Sequence, residues 1–401
     1  MKSVLIVANN LEIGGAERAL ISLLNTFDCE KYKVDLFLLR HDGEFMNMIP
    51  SKINLLPEIK EYTSLGIPII KALEKKLFKQ VYGRIIGKIR AKKFIKMNNI
   101  RGVNSVEIEY SYKYTKKFMP KISDKKYDLA IGFSTPYYIV DEKVNASKKI
   151  AWIHTDYSKI PGDTQSELKM WSIYDNIVSI SDAVTNSFIS KYPSLENKII
   201  LIENIVLPEL IYKEADLIDV SAEMKHYKNN ISILSIGRFS PVKNFTSIPN
   251  ICKLILEKGL DVNWYIIGYG EEESMIKEKI KELNLEENIF ILGQKSNPYP
   301  YIKECDIYVQ PSKFEGKSVT VREDQILGKP VVITDFPTAK DHIENLYHGI
   351  ISPMDNESCA KEIINLMEND GMRELIIGNC KSTNYSNKDE IKKIYNLIEN
   401  R

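Results

Sequence analysis

The chain has 401 residues and a formal net charge of +1, with 44% hydrophobic and 27% charged residues. That is apolar material for two buried cores, which excludes a largely disordered chain. A near-zero charge gives no whole-molecule attraction to nucleic acid, so any basic patch is local.

Five scattered cysteines (Cys29, Cys252, Cys305, Cys359, Cys380) form no C-x-x-C pair. This argues against a disulfide framework or structural zinc and suits a reducing, cytoplasmic compartment. The opening run from Met1 to Asn10 has one positive charge and a very short apolar stretch. It is expected to be a buried strand rather than a secretory leader. No stretch approaches the roughly 20 apolar residues needed to span a bilayer.

Residues 3–8 read as that strand, followed by Gly14-Gly15 and a helical pattern with Ala19, Leu20, Leu23 and Leu24 on one side. Residues 33–39 read as the next strand. A β-loop-α-β opening is the entry to a doubly wound sheet. Gly15 has no side chain, which lets the backbone approach a phosphate. The spacing is neither G-x-G-x-x-G nor a Walker loop, which disfavours a dinucleotide or ATP site.

Residues 71–96 hold ten Lys and Arg against one acid, Glu74, interleaved with Leu73, Leu77, Phe78, Val81, Ile85, Ile86 and Ile89. This predicts one amphipathic basic helix. Two readings stay open: a face lying on an anionic membrane, peripheral on its inner side, or a solvated helix packed on its own domain.

Apolar runs at 128–133, 149–153, 176–180 and 198–203 have the length of buried parallel strands. His154 follows the second of them. Residues 207–229 contain Pro208, several charges and little periodicity, and are placed as the domain linker. A second series follows at 231–236, 264–267, 289–292, 306–309 and 330–334, with helical patterns at 271–284 and 318–327. The class is therefore α/β, with two β/α/β sandwiches in tandem.

Chemistry is densest at 310–333. A buried strand ends in a Pro-Ser turn, a loop carries Glu315 and Gly316, and Ser318 can cap a helix that stops at Gly328. The free N–H groups of such a helix start form an anion site fit for a diphosphate. Glu315 before the helix and Glu323 inside it can border one ligand and accept hydrogen bonds from its hydroxyls.

The string Pro-Ser…Phe-Glu-Gly…Glu…Gly-Lys-Pro-Val-Val, with Glu315 and Glu323 spaced as they are, resembles the retaining glycosyltransferases of family 4. Lys317-Ser318 stands where the family usually has Phe-Gly, and Asp324-Gln325 where it has Ala-Met or Ala-Leu. Both departures lie beside the donor site and bear on donor choice. The Gly-Arg…Lys-Asn element matches at Gly237–Asn244, Gly-x-Gly-Glu at Gly268-Tyr269-Gly270-Glu271, and the glycine-rich loop at Gly14–Arg18.

The resemblance implies a GT-B fold, two Rossmann-like domains facing each other across a cleft. An acceptor domain would span 1–206, a nucleotide-sugar donor domain 207–385, and a final helix near 386–401 would cross back. Arg238 and Lys243 would hold the leaving diphosphate. Glu315 would meet sugar hydroxyls, Glu323 the ribose, and His154 the donor sugar. Gly15, Gly268, Gly293, Gln294, Gly316, Lys317, Ser318 and Val319 would complete the donor site. His41, His226, His342 and His348 have no such context.

No Asp-x-Asp occurs, so neither metal nor other cofactor is expected. The implied activity moves a hexosyl or N-acetylhexosaminyl unit from a nucleotide sugar, expected to be a UDP-sugar, to a saccharide, expected to be lipid-linked. The setting would be bacterial surface polysaccharide synthesis. A sugar-nucleotide epimerase, a phosphorylase, or a non-catalytic partner subunit of the same fold are the alternatives.

Overall fold

A computed structural model describes residues 1–102, 104–134, 136–157, 160–224, 230–316 and 318–399. Lys317 and His226 lie outside the described residues. The chain divides into two units, Met1–Val206 with Asn387–Arg401, and Leu207–Ser386.

The first unit is built on β1 (Lys2–Ala8), β2 (Tyr32–Leu38), β3 (Asn54–Leu55), β4 (Lys126–Phe133), β5 (Asn145–Trp152), β6 (Asn176–Ser179) and β7 (Ile199–Leu201). Their order is β3-β2-β1-β4-β5-β6-β7, with every pair parallel. Helices cover both faces, so the strand centres are continuous apolar runs: Val4–Ala8 in β1 is buried throughout. β5 begins with the polar stretch Asn145–Lys149 and is fully buried only from Ile150. Its apolar signal therefore marks half its length.

The second unit uses β8 (Ile231–Ile236), β9 (Val262–Ile267), β10 (Ile289–Gly293), β11 (Ile307–Gln310), β12 (Val331–Thr334) and β13 (Ile350–Ser352). They are ordered β10-β9-β8-β11-β12-β13. In both sheets the order reverses beside the first strand, between β1 and β4 and between β8 and β11. Loops at the carboxyl ends of those strands diverge and leave room for a ligand. A core around Trp264, Ile266, Val309 and Ile363 holds the second sheet to its helices.

Within 207–229, placed as the domain linker, residues Pro208–Ala215 form a helix that belongs to the second unit. Pro208 starts it, where a missing N–H costs no helical bond. Tyr212 donates to the Ile326 carbonyl at 2.8 Å, and Asn297 to the Glu214 carbonyl at 2.7 Å. Residues 71–96 are not one helix but parts of two, Ile69–Glu74 and Phe78–Met97. The break contains Lys76 at φ 58°, a left-handed conformation that interrupts the hydrogen-bond ladder.

The last helix, Ile391–Glu399, docks on the first unit. Tyr395 stacks on Tyr32 at 4.3 Å, and its hydroxyl accepts the Asp28 N–H at 2.8 Å.

Candidate active site

Two loops leave the switch point of the second sheet. The one after β8 carries Gly237–Asn244, and the one after β11 carries Pro311–Ser318. They meet through an ion pair: Lys243 Nζ lies 2.6 Å from Glu315 Oε1. Ser312 Oγ donates to the same oxygen at 2.6 Å, and Gln310 Nε2 donates to Ser312 Oγ at 2.8 Å. Both bonds converge on Oε1 of a buried carboxylate, so Glu315 is held rigid. Thr338 Oγ1 also donates to the Glu315 carbonyl at 2.7 Å.

Ser318 caps helix Val319–Ile326, its hydroxyl accepting from the Val321 N–H at 3.5 Å. Its own N–H donates to His342 Nε2 at 2.7 Å, and the other ring nitrogen lies 2.7 Å from the Thr338 carbonyl. A carbonyl can only accept, so Nδ1 carries the proton and Nε2 is the acceptor. Burial holds the His342 pKa below its usual value, favouring this neutral form. His342 was missed by sequence reasoning, although Thr338 and His342 stand four residues apart just after β12.

Glu323 is buried and accepts from Tyr299 OH at 2.6 Å. Its neighbour Asp324 is fully buried, with no hydrogen bond to either oxygen. Burial, with the Glu323 charge beside it, pushes the Asp324 pKa well above the ordinary carboxylate range.

Arg238 is exposed, its guanidinium 5.9 Å from the Tyr269 ring centroid. Gly268 and Gly270 brace that loop. A Cβ on Gly268 would fall 1.9 Å from the Gly237 carbonyl oxygen, and one on Gly270 would fall 2.3 Å from that of Phe239. Phe239 N–H donates to the Tyr269 carbonyl at 2.8 Å, and Gly268 N–H to that of Gly293 at 2.9 Å. Only glycine allows this backbone approach. Gly293 closes β10 at φ 71°, and Gln294 beyond it is exposed. Gly316 has open space around its Cα, and Val319 is the first helical residue.

Gly15 and His154 belong to the first unit. Gly15 starts helix Gly15–Thr26 with open space around its Cα. His154 follows β5, its ring 4.5 Å from that of Phe133. Burial lowers its pKa to about 4, against an opposing pull from the Trp152 backbone and the Asn204 side chain. The imidazole is therefore neutral near pH 7.

Residues 219–383 match the sequence model of the glycosyl transferases group 1. The matched stretch lies within the second unit. Among curated relatives, the poly(ribitol-phosphate) alpha-N-acetylglucosaminyltransferase of Staphylococcus aureus is 26% identical over 40% of this chain and 33% of its own. The capsular polysaccharide biosynthesis glycosyltransferase CapM of S. aureus is 25% identical over 56% of this chain and 62% of its own. A Campylobacter jejuni transferase named for N-acetylgalactosamine-N,N'-diacetylbacillosaminyl-diphospho-undecaprenol is 30% identical over 37% of this chain and 41% of its own. The matches thus span about a third to three fifths of each relative's length.

Solved structures extend the likeness to the whole chain. An S. aureus TarM mutant in complex with fondaparinux, alpha-GlcNAc-glycerol and UDP gives a TM-score of 0.66 at 16% identity, covering 100% of both chains. Anabaena HepE in complex with UDP gives 0.62 at 17%, covering 99% of both. At such identities the likeness is one of fold, and that fold is GT-B.

Proposed function

We propose that the chain is a retaining, metal-independent glycosyltransferase. It moves a hexosyl or N-acetylhexosaminyl unit from a UDP-sugar to a saccharide acceptor in bacterial surface polysaccharide synthesis. The observation that carries this reading is the Lys243–Glu315 contact at the switch point of the second unit. The names of relatives in capsule and lipid-linked saccharide synthesis support the setting.

In this mechanism the donor diphosphate lies at the start of helix Val319–Ile326. Lys243 keeps one N–H on Glu315 and offers another to the diphosphate, which gains charge as the glycosidic bond breaks. Arg238 adds a second cation. Glu315 Oε1 is committed to Lys243 and Ser312, so Oε2 is the atom that meets a sugar hydroxyl. Glu323 binds the ribose, and neutral His154 meets the donor sugar. Gly293 and Gln294 border the donor. The acceptor oxygen attacks the face that the diphosphate leaves, and the leaving phosphate takes its proton, so configuration is retained. Arg238, Lys243 and the helix start handle the diphosphate charge, which supports metal independence.

The proposal extends to an anionic membrane surface. Helix Phe78–Met97 presents Phe78, Tyr82, Ile85, Ile89 and Met97 to solvent. Lys79, Lys92, Lys93 and Lys96 are exposed around them. An apolar face ringed by cations complements an anionic bilayer. Co-sedimentation with vesicles containing phosphatidylglycerol, and none with phosphatidylcholine alone, is the expected result.

The test of the reaction is release of UDP from UDP-N-acetylglucosamine or UDP-glucose, dependent on a saccharide acceptor and unaffected by EDTA. Release of UDP without acceptor, or a strict need for Mn²⁺, would overturn the respective claim.

A further inference from the structure

The first unit contains a cavity of about 490 Å³. It opens at the carboxyl ends of β1 and β2, where Asn9, Asn10 and Arg40 line it, beside helices Phe78–Met97 and Val106–Thr115. This is the edge at which parallel sheets take ligands. Gly83 and Gly87 seat the first helix against the second. A Cβ on Gly87 would fall 2.6 Å from the Tyr110 carbonyl oxygen, and one on Gly83 2.8 Å from Thr115 Cα. This contact fixes the rotation of the helix and brings Arg84 and Lys88, one turn apart, to the cavity wall.

The wall carries Arg40, Arg84 and Lys88 against Glu12 and Glu107. Arg40 is matched, 3.1 Å from Glu12 and 3.4 Å from Asp42. Arg84 is half-buried, and its Nη1 touches only the carbonyls of Ser64 and Ile67, at 2.5 and 2.6 Å. Among the described residues no carboxylate pairs with Arg84 or Lys88. One further acid, Glu107, lines the cavity. A half-buried cation without a counter-charge is costly unless something else supplies it. Asn10, Ser111 and Tyr112 add groups suited to hydroxyls.

We propose that this cavity binds the phosphate-bearing end of the acceptor, a saccharide carrying a phosphate or diphosphate, through Arg84 and Lys88. The inference rests on the transferase reading and deepens it, naming the acceptor class. The same phosphate can come from a lipid-linked saccharide or from a water-soluble phosphosaccharide. Exposed Ile108 lines the cavity, which suits a lipid chain leaving it.

Calorimetric titration tests this, with the intact protein saturated in UDP so that the second unit is occupied. The probes are N-acetylglucosamine 1-phosphate, neutral N-acetylglucosamine, and decyl N-acetylglucosaminyl phosphate. The sugar phosphate should bind more tightly than the neutral sugar. Lys88→Gln should weaken it roughly tenfold, and Arg84→Gln by more, with UDP affinity unchanged. Lys88 is exposed, so its variant keeps the test valid if Arg84→Gln does not fold. Tighter binding of the decyl probe supports the cavity with a lipid-linked source, and equal binding supports it with a soluble one. Equal affinity for charged and neutral sugars, or undiminished binding in Lys88→Gln, overturns the proposal. The two readings fail separately. A wild-type protein that binds no UDP overturns the transferase reading, and one that binds UDP but no sugar phosphate overturns the cavity.

Discussion

The two sheets share a strand order but spend their connections differently. In the second unit β10 and β11 are joined by residues 294–306, with one short helix, Tyr299–Glu304. In the first, the corresponding join from β3 to β4 runs over residues 56–125 and includes helices Ile69–Glu74, Phe78–Met97 and Val106–Thr115. The electrostatics differ as well. The second unit's main groups are satisfied internally, Lys243 by Glu315 and the Ser318 N–H by His342. In the first, Arg84 and Lys88 line a cavity and, among the described residues, neither is paired with a carboxylate. A site for a shared diphosphate can be fixed in advance by its own side chains. On the proposed reading, the site for a variable acceptor is built by insertion, with Arg84 and Lys88 left for the acceptor phosphate.

Four changes would sharpen or break that contrast. Lys243→Ala should act hardest, lowering turnover by roughly 100-fold or more if the ammonium clamps the leaving diphosphate. Unaltered turnover in a folded variant would remove Lys243 from the mechanism. Glu323→Ala should weaken UDP-sugar binding by about tenfold, with loss of the Tyr299 hydrogen bond also lowering stability by about 1–3 kcal/mol. Calorimetry and thermal melting separate the two effects.

Gly87→Ala should destabilise by about 1–3 kcal/mol through overpacking against the Tyr110 carbonyl. UDP affinity should stay at the wild-type value. A loss of UDP affinity equal to that of Glu323→Ala would break the division of labour between the units.

The pH effect is the smallest. Burial holds the His154 pKa at about 4 and that of His342 below its usual value. The unfolded chain, with histidines near about 6.5, binds these protons first. Stability from the two neutral rings is therefore full above about pH 6.5 and is lost as pH falls toward their folded values. The melting temperature should drop between pH 7 and 5, and His154→Asn should flatten that slope. An unchanged slope would count against a buried neutral His154.

Much of the fold was legible because parallel strands buried on both faces are written as continuous apolar runs. β3, with two residues, and β13, with three, are too short for any pattern to register. Helix Pro208–Ala215 was hidden because one of its three buried residues is Glu214 and its anchor is the Tyr212 hydroxyl. The break at Lys76 was hidden because its left-handed φ falls on a lysine rather than a glycine. Around the candidate site, Glu315, Ser318 and Glu323 stood out because strand, turn and helix punctuate one short stretch. His342 and Thr338 did not, because they reach that stretch only through the fold. The Arg84 cavity was concealed in a run of cations where position on the helix, not composition, selects which side chains face inward.

The most direct test of the central claim, that the second unit grips a nucleoside diphosphate at its switch point, is hydrogen exchange of the whole chain with and without saturating UDP. The account predicts slowed exchange at 237–244 and at 312–323, with the 78–97 helix unchanged. Slowing confined to the first unit, or none at 312–323, would contradict it.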